Sequence, residues 1–169
     1  RRQRQMCIET DYDRCVSCGQ CLVSCPFGAI VDKSQIYQVI RSILEGNEVV
    51  AIVAPSFVGQ FGRDVTVPKF LTAMKQLGFA DVVEVAAGAD ICTIEEAHDF
   101  LEKVPNEQRF MATSCCPSWR MMARRLFPAE SGNISMTYTP MVYTARLVKK
   151  EHPNSKVVFI GPCAAKKLE

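Results

Sequence analysis

The sequence predicts an α/β fold, a parallel sheet with flanking helices, preceded by a small cysteine-rich module. Two observations carry this. From residue 34 onward, short wholly apolar runs alternate with stretches of helical periodicity. Ahead of them, four of the nine cysteines fall within residues 15–25, in a segment with few long apolar runs. Wholly apolar strands between helices require a sheet covered on both faces, and 169 residues are enough to bury one such core.

The elements follow in order. Ile36, Val39, Ile40, Ile43 and Leu44 recur at helical spacing and Gly46 closes them, a helix that links the module to the main domain. Residues 49–54 read as a buried strand. Residues 67–77 read as a helix, with Pro68 in its first turn and Gly78 as its stop. Residues 82–86 are a second strand and 94–104 a second helix, opened by Glu95 and Glu96. Residues 110–113 are expected to form a third strand, 119–126 a helix behind Pro117, 141–150 a helix ending on Lys149 and Lys150, and 156–160 a fourth strand. Each strand runs into a loop of unusual composition: Ala54-Pro55-Ser56, Gly88-Ala89-Asp90, Ser114-Cys115-Cys116-Pro117 and Gly161-Pro162-Cys163. Ligands of parallel α/β sheets bind beyond the carboxyl ends of the strands. Cys115, Cys116 and Cys163 are therefore expected to meet at one sheet edge.

Composition excludes several classes. The formal net charge of +2 is too small for a nucleic-acid binder. The arginines at 1, 2 and 4, and at 120, 124 and 125, read as solvated faces. Residues 49–55 form the longest apolar stretch, too short to span a bilayer. The odd cysteine count and the lack of an apolar signal core argue against a secreted disulfide framework. Reduced thiols holding metal in a cytoplasmic, anaerobic setting fit instead. A start at Arg1 and a stop directly after a motif read as a portion of a longer protein.

Cys15-x2-Cys18-x2-Cys21-x3-Cys25-Pro26 has the spacing of a bacterial-type [4Fe–4S] site, which makes residues 1–33 a ferredoxin-like module. Three thiolates on one tight loop wrap three corners of the cube, and Gly19 lets the backbone curl close. A zinc site would pair two separated C-x2-C units. The fourth ligand is Cys25, or else Cys7, with Cys25 then serving a second cluster. The module thus holds one or two [4Fe–4S] clusters.

Thr113-Ser114-Cys115-Cys116-Pro117-Ser118-Trp119 resembles the first signature of the [FeFe]-hydrogenases, and Pro162-Cys163-Ala164-Ala165-Lys166-Lys167-Leu168-Glu169 resembles the second, of form PCxxKxxE. The Ala54-Pro55-Ser56 and Gly88-Ala89-Asp90 segments, and the stretch from Thr93 to Ala97, are similar to family segments too. The resemblance covers essentially the whole chain, and it implies an H-cluster. This is a [4Fe–4S] cube bridged through a cysteine to a two-iron unit with CO, cyanide and azadithiolate. By the same resemblance Cys116 and Cys163 match cube ligands, and Cys115 matches the thiol that relays protons to the dithiolate amine. Lys166 matches the donor to an iron-bound cyanide, Ala54 and Pro55 line the pocket, and Glu96, Asp99 and Ser135 lie on the proton path, with Asp99 in place of a usual Glu. The implied substrates are protons and H2, and the implied redox partner is a ferredoxin or another iron–sulfur subunit.

Two departures matter. Gly161 stands where the second signature usually begins with Met, which predicts a more open pocket. The third signature, which supplies two further cube ligands including the bridging cysteine, is absent from these 169 residues, so the two-iron unit can be held as the family holds it only if a missing segment or a second chain completes the set. The predicted organisation is a ferredoxin-like module at 1–33, a linker helix at 34–46 and a hydrogenase-like domain at 47–169, catalysing reversible reduction of protons. The rival readings are a non-catalytic iron–sulfur carrier or redox/H2 sensor without the two-iron unit, and a Nar-type assembly factor. Cys92 matches no signature position and reads as a buried small residue, the alternative being that it faces the site. His98 and His152 show no ligand spacing.

Overall fold

The computed structural model describes residues 11–169. Cys7 and the first arginines, to which the sequence assigned an alternative cluster ligand and a solvated face, lie outside the described residues. In chain order the elements are α1 (Gln20–Ser24), α2 (Ile36–Leu44), β1 (Val49–Val53), α3 (Val67–Gln76), β2 (Asp81–Glu84), α4 (Ala86–Lys103), α5 (Pro117–Leu126), α6 (Pro140–Glu151) and β3 (Lys156–Ile160). Short 3-10 turns cover Pro55–Phe57, Pro128–Asn133 and Ala164–Leu168.

The sheet is parallel, in the order β2-β1-β3, with Ile52 in register with Val83 and Phe159. Central β1, Val-Val-Ala-Ile-Val, has 0–1% exposure throughout, because helices cover both of its faces. Val49, Ala51 and Val53 pack with Phe57, Met74, Phe79 and Val82, roofed by Val39 and Ile43 of α2 and by Phe70 and Leu71 of α3. Val50 and Ile52 point the other way, to Val85, Val148, Met141 and Ala145. A buried Val or Ile side chain contributes about 1.5–3 kcal/mol, so β1 anchors the domain.

Prolines open three helices: Pro68 in α3, Pro117 in α5 and Pro140 in α6. Their missing N–H groups fall where a helix has no acceptor to offer. Gly46 and Gly78, both with positive φ, turn the chain after α2 and α3, as expected of stop residues. The exits of β1 and β3 are pinned together by the Ala54 N–H, which donates to the Ile160 carbonyl at 2.9 Å.

Two expectations are corrected. Gly88-Ala89-Asp90 is no loop: α4 starts at Ala86, directly behind β2, and Gly88 lies in its first turn. A β-carbon at Gly88 would stand 2.2 Å from Thr144 Oγ1 and 2.3 Å from the Pro140 carbonyl oxygen. The glycine is therefore a close-packing residue between α4 and α6, not a loop residue. Residues 110–113 form no strand. They make one parallel bridge, Ala112 to Ile134, held by the Ala112 N–H on Asn133 O and the Ser135 N–H on Ala112 O, both 2.8 Å. With Phe110 left exposed, that segment has too little apolar surface to bury against a sheet.

The cysteine module lies against the domain through polar contacts. Arg125 Nη1 donates to the Cys15 carbonyl at 3.0 Å, and Lys167 reaches the Asp32 carboxylate and the Lys33 carbonyl. A β-carbon at Gly19 would sit 3.8 Å from that of Ala164.

Candidate metal centre

Cys15 and Cys18 precede α1, Cys21 lies within its first turn and Cys25 follows it, and the left-handed residues Ser17 (φ 55°) and Gly19 (φ 76°) fold the leading loop tightly. Backbone amides face the sulfurs. The Ser17 N–H donates to Cys15 Sγ at 3.4 Å. The amides of Ala29 and Phe27, then those of Ile30 and Gly28, hold the Cys25 thiol below its ordinary pKa against a smaller desolvation effect. Amides aimed at sulfur favour thiolate and stabilise an anionic cluster, and soft thiolates are the donors that iron–sulfur clusters take. Among the described residues no three Cys, His, Asp or Glu side chains converge on one point that suits a single ion. The eight cysteines of residues 11–169 are free thiols.

At the second centre, Cys116 is the residue before α5 and Cys163 the residue before the 164–168 turn, both extended. Cys163 lies in the loop that leaves β3, as expected. Cys115 and Cys116 reach the site from a loop without a strand of its own. Lys166 joins the two loops, because its Nζ donates to the Cys115 carbonyl at 2.8 Å and pairs with Glu169 Oε2 at 2.8 Å. Thr139 Oγ1 donates to that same carboxylate oxygen at 2.8 Å. The side chains of Lys166 and Glu169 are only 13% and 6% exposed, so the ion pair is held in a poorly solvated place.

The remaining residues fall out unevenly. Ala54 and Gly161 border a cavity of about 350 Å³ walled by Val53, Phe57, Phe61 and Phe70, with Pro162 at its rim. Pro55 begins the adjoining 3-10 turn. The opening expected from Gly161 is partly filled: a β-carbon there would lie 2.5 Å from the Phe159 ring and 3.0 Å from the Ala54 β-carbon. Ser135 is buried, its Oγ accepting the Thr137 N–H at 3.2 Å. Glu96 lies half-buried on α4. Asp99 pairs with Lys103 along the helix at 3.1 Å, an engagement that the sequence reading did not anticipate. Sequence reasoning also missed Thr139 and Glu169 as the supports of Lys166. The i, i+3 spacing of Lys166 and Glu169 was the available signal. It missed the setting of Cys92 as well. That thiol is buried, and burial together with the charges of Glu96 and Cys115 pushes its pKa up, against Lys166.

With this geometry in view, the family model "Iron only hydrogenase large subunit, C-terminal domain" matches residues 47–169, and a "4Fe-4S binding domain" matches residues 8–31. The chain belongs to the iron-only hydrogenase family. It is 34% identical to iron hydrogenase 1 of Clostridium pasteurianum over 85% of this chain and 28% of that protein. It is 29% identical to the NADP-reducing hydrogenase subunit HndD of Solidesulfovibrio fructosivorans, over 92% of this chain and 30% of that one. Against the periplasmic [Fe] hydrogenase large subunit of Nitratidesulfovibrio vulgaris it is 30% identical, over 96% and 51%. The chain thus spans between about a quarter and half the length of these curated relatives. A solved [FeFe]-hydrogenase, studied for oxygen-driven degradation of the 2Fe subcluster of its H cluster, shares the fold with a TM-score of 0.66 and 23% identity over 80% of this chain and 40% of that one. No helix among the described residues of this hydrogenase-family chain is long and apolar enough to cross a membrane.

Proposed function

We propose that this chain is the electron-entry and proton-entry portion of an [FeFe]-hydrogenase that reversibly reduces protons to H2, in a cytoplasmic setting. The observation that carries the reading is the Lys166 contact. A largely shielded ammonium is fixed at 2.8 Å to the backbone of Cys115, three residues after Cys163 in the chain. A carrier of simple cubes has no use for a lysine held dry beside an unligated thiol.

In this reading residues 1–33 are the ferredoxin-like module and 34–46 the linker helix. Cys15, Cys18, Cys21 and Cys25 hold a [4Fe–4S] cluster that takes electrons from a ferredoxin or another iron–sulfur subunit. Cys116 and Cys163 contribute two ligands to the H-cluster cube, and a further segment or second chain contributes the rest. When bound, the H-cluster supplies the redox iron at which protons and electrons combine. The chain's own residues do the remainder. Gly19 brings the module's loop against Ala164, beside Cys163, which keeps the electron route short. Lys166, braced by Glu169 and Thr139, offers N–H donors from a side chain that is only 13% exposed. Cys115 holds an exchangeable proton next to a ligand. Glu96 and Ser135 extend the proton route outward, and Asp99 extends it less directly, since Lys103 engages its carboxylate.

Infrared spectroscopy of the protein matured anaerobically together with its completing polypeptide tests this. CO and cyanide stretching bands are expected; iron and sulfide without those bands would overturn the reading in favour of a plain iron–sulfur carrier or sensor. In the matured enzyme Cys115→Ala is expected to lower H2 turnover by about a hundredfold or more with iron content unchanged, since an aligned relay fails when a member loses its proton. Loss of iron in that variant would instead make Cys115 a ligand.

A further inference from the structure

Gly161 is not required by its backbone. Its φ is not positive, so a residue with a side chain could adopt the same conformation. The obstacle is another side chain. A β-carbon at Gly161 would stand 2.5 Å from Cζ and 2.9 Å from Cε1 of Phe159, and 3.0 Å from the Ala54 β-carbon. Residues two apart in an extended chain share a face, and strand side chains lean along the chain. The half-buried Phe159 packs on the core of Val50, Ile52, Val85 and Val148, and the far end of its ring takes the volume that a side chain at 161 would fill. Two hollows meet at this point. Ile160 and Gly161 border the cavity of about 350 Å³, and they also border a groove of about 1050 Å³ that Phe159 lines together with Cys163 and Lys166. Residues 160–161 are therefore the partition between the two, and Gly161 adds no side chain to it.

We infer that Phe159 is a specificity-determining residue of the second metal centre: its ring supplies the bulk that residue 161 lacks and closes the partition beside Cys163. The identity of the centre rests on the hydrogenase reading above, whereas the exchange of one side chain for another rests on packing alone. The second signature usually begins with Met at this position, and the sequence by itself predicts an open pocket. In this chain the bulk is kept and moved two residues back. Gly161 and Phe159 are thus a matched pair, each tolerated because of the other. Large residues at both positions would overpack the partition, and small residues at both would leave a hole in it. Val53, Phe57, Phe61 and Phe70 make the cavity wall apolar, so an opened partition would admit small uncharged molecules to the groove rather than ions.

The first experiment needs no cofactor: a double-substitution cycle read by thermal unfolding of the purified chain. In Phe159→Leu the side chain ends at Cδ and has neither of the two clashing ring atoms. Gly161→Met alone is expected to lower the melting temperature by about 5 °C through overpacking, and to leave it level or raise it when Phe159→Leu is already present. The same loss in both backgrounds would overturn the pairing. Gly161→Ala, a smaller intrusion, reads the same coupling if Gly161→Met does not fold. In the matured enzyme with its completing polypeptide, Phe159→Leu is expected to speed inhibition by added carbon monoxide about tenfold, with the resident CO and cyanide bands retained. Adding Gly161→Met to that variant is expected to slow the inhibition again. An unchanged inhibition rate in Phe159→Leu would overturn the shielding role, while the bands leave the hydrogenase reading intact. A parent enzyme without those bands would overturn that reading instead, and the unfolding cycle would still decide whether Phe159 stands in for residue 161.

Discussion

The cysteine module and the central strand are stabilised by opposite means. In β1 every side chain is at 0–1% exposure, and α1 of the module buries none of its residues. Val23, Phe27 and Val31 of the module are more than 80% exposed. One region is held by apolar packing that needs nothing else. The other has backbone amides turned toward sulfur and polar links to the domain from Arg125 and Lys167, and so depends on what the sulfurs hold. Small segments without a core are generally stabilised by metal, because burial cannot offset the entropy of ordering them.

Iron removal should expose the contrast most strongly. Chelation under reducing conditions is expected to abolish hydrogen-exchange protection across residues 15–33 while β1 stays protected. Equal loss in both would mean that the module and the sheet unfold as one unit. Next in size, Ile52→Ala is expected to destabilise the domain by about 2–5 kcal/mol in urea unfolding, whereas Val23→Ala should stay within about 0.5 kcal/mol. Similar values for the two would erase the distinction drawn above. Gly88→Ala should cost about 1–3 kcal/mol through overpacking against Thr144 and Pro140; a neutral result would mean that α4 and α6 separate freely.

The smallest effect concerns the exposed Lys75–Asp81 pair at 2.8 Å. The Lys75 ammonium holds the Asp81 carboxyl below its ordinary pKa, mainly through the hydrogen bond and against a smaller desolvation effect. A depressed carboxyl pKa gives stability that is complete above the unfolded value of about 3.9 and is lost as pH falls through the lower folded value. Lys75→Met is therefore expected to remove no more than about 1 kcal/mol at neutral pH and to make the domain less sensitive to acid below about pH 4. An unchanged acid profile would show that the pair contributes nothing.

Much of this was legible from sequence. Residues 49–54, 67–77, 141–150 and 156–160 each carry an unbroken apolar run or a clean helical period with a proline or glycine at its end, and each forms within a residue or two of expectation. Gly88 was misread because a glycine in a loop and one that admits a neighbouring helix look alike in one dimension. Residues 110–113 have strand-like composition, but strand formation is decided by a partner, and Ile134 offers only one bridge. The cysteine spacing was visible locally. The brace of Thr139, Glu169 and Lys166 and the setting of Cys92 were not, since they join residues from four separate segments.

The hydrogen bond from Ala54 to Ile160 has a consequence for assembly. Both exit loops place a proline immediately after the pinned region, Pro55 and Pro162. A proline restricts the residue before it to extended backbone, and Ala54 is extended, at φ −68° and ψ 144°. The chain therefore leaves β1 in few conformations. Pro162 fixes its own φ directly ahead of Cys163, so one torsion fewer remains for a ligand to order when it captures that sulfur.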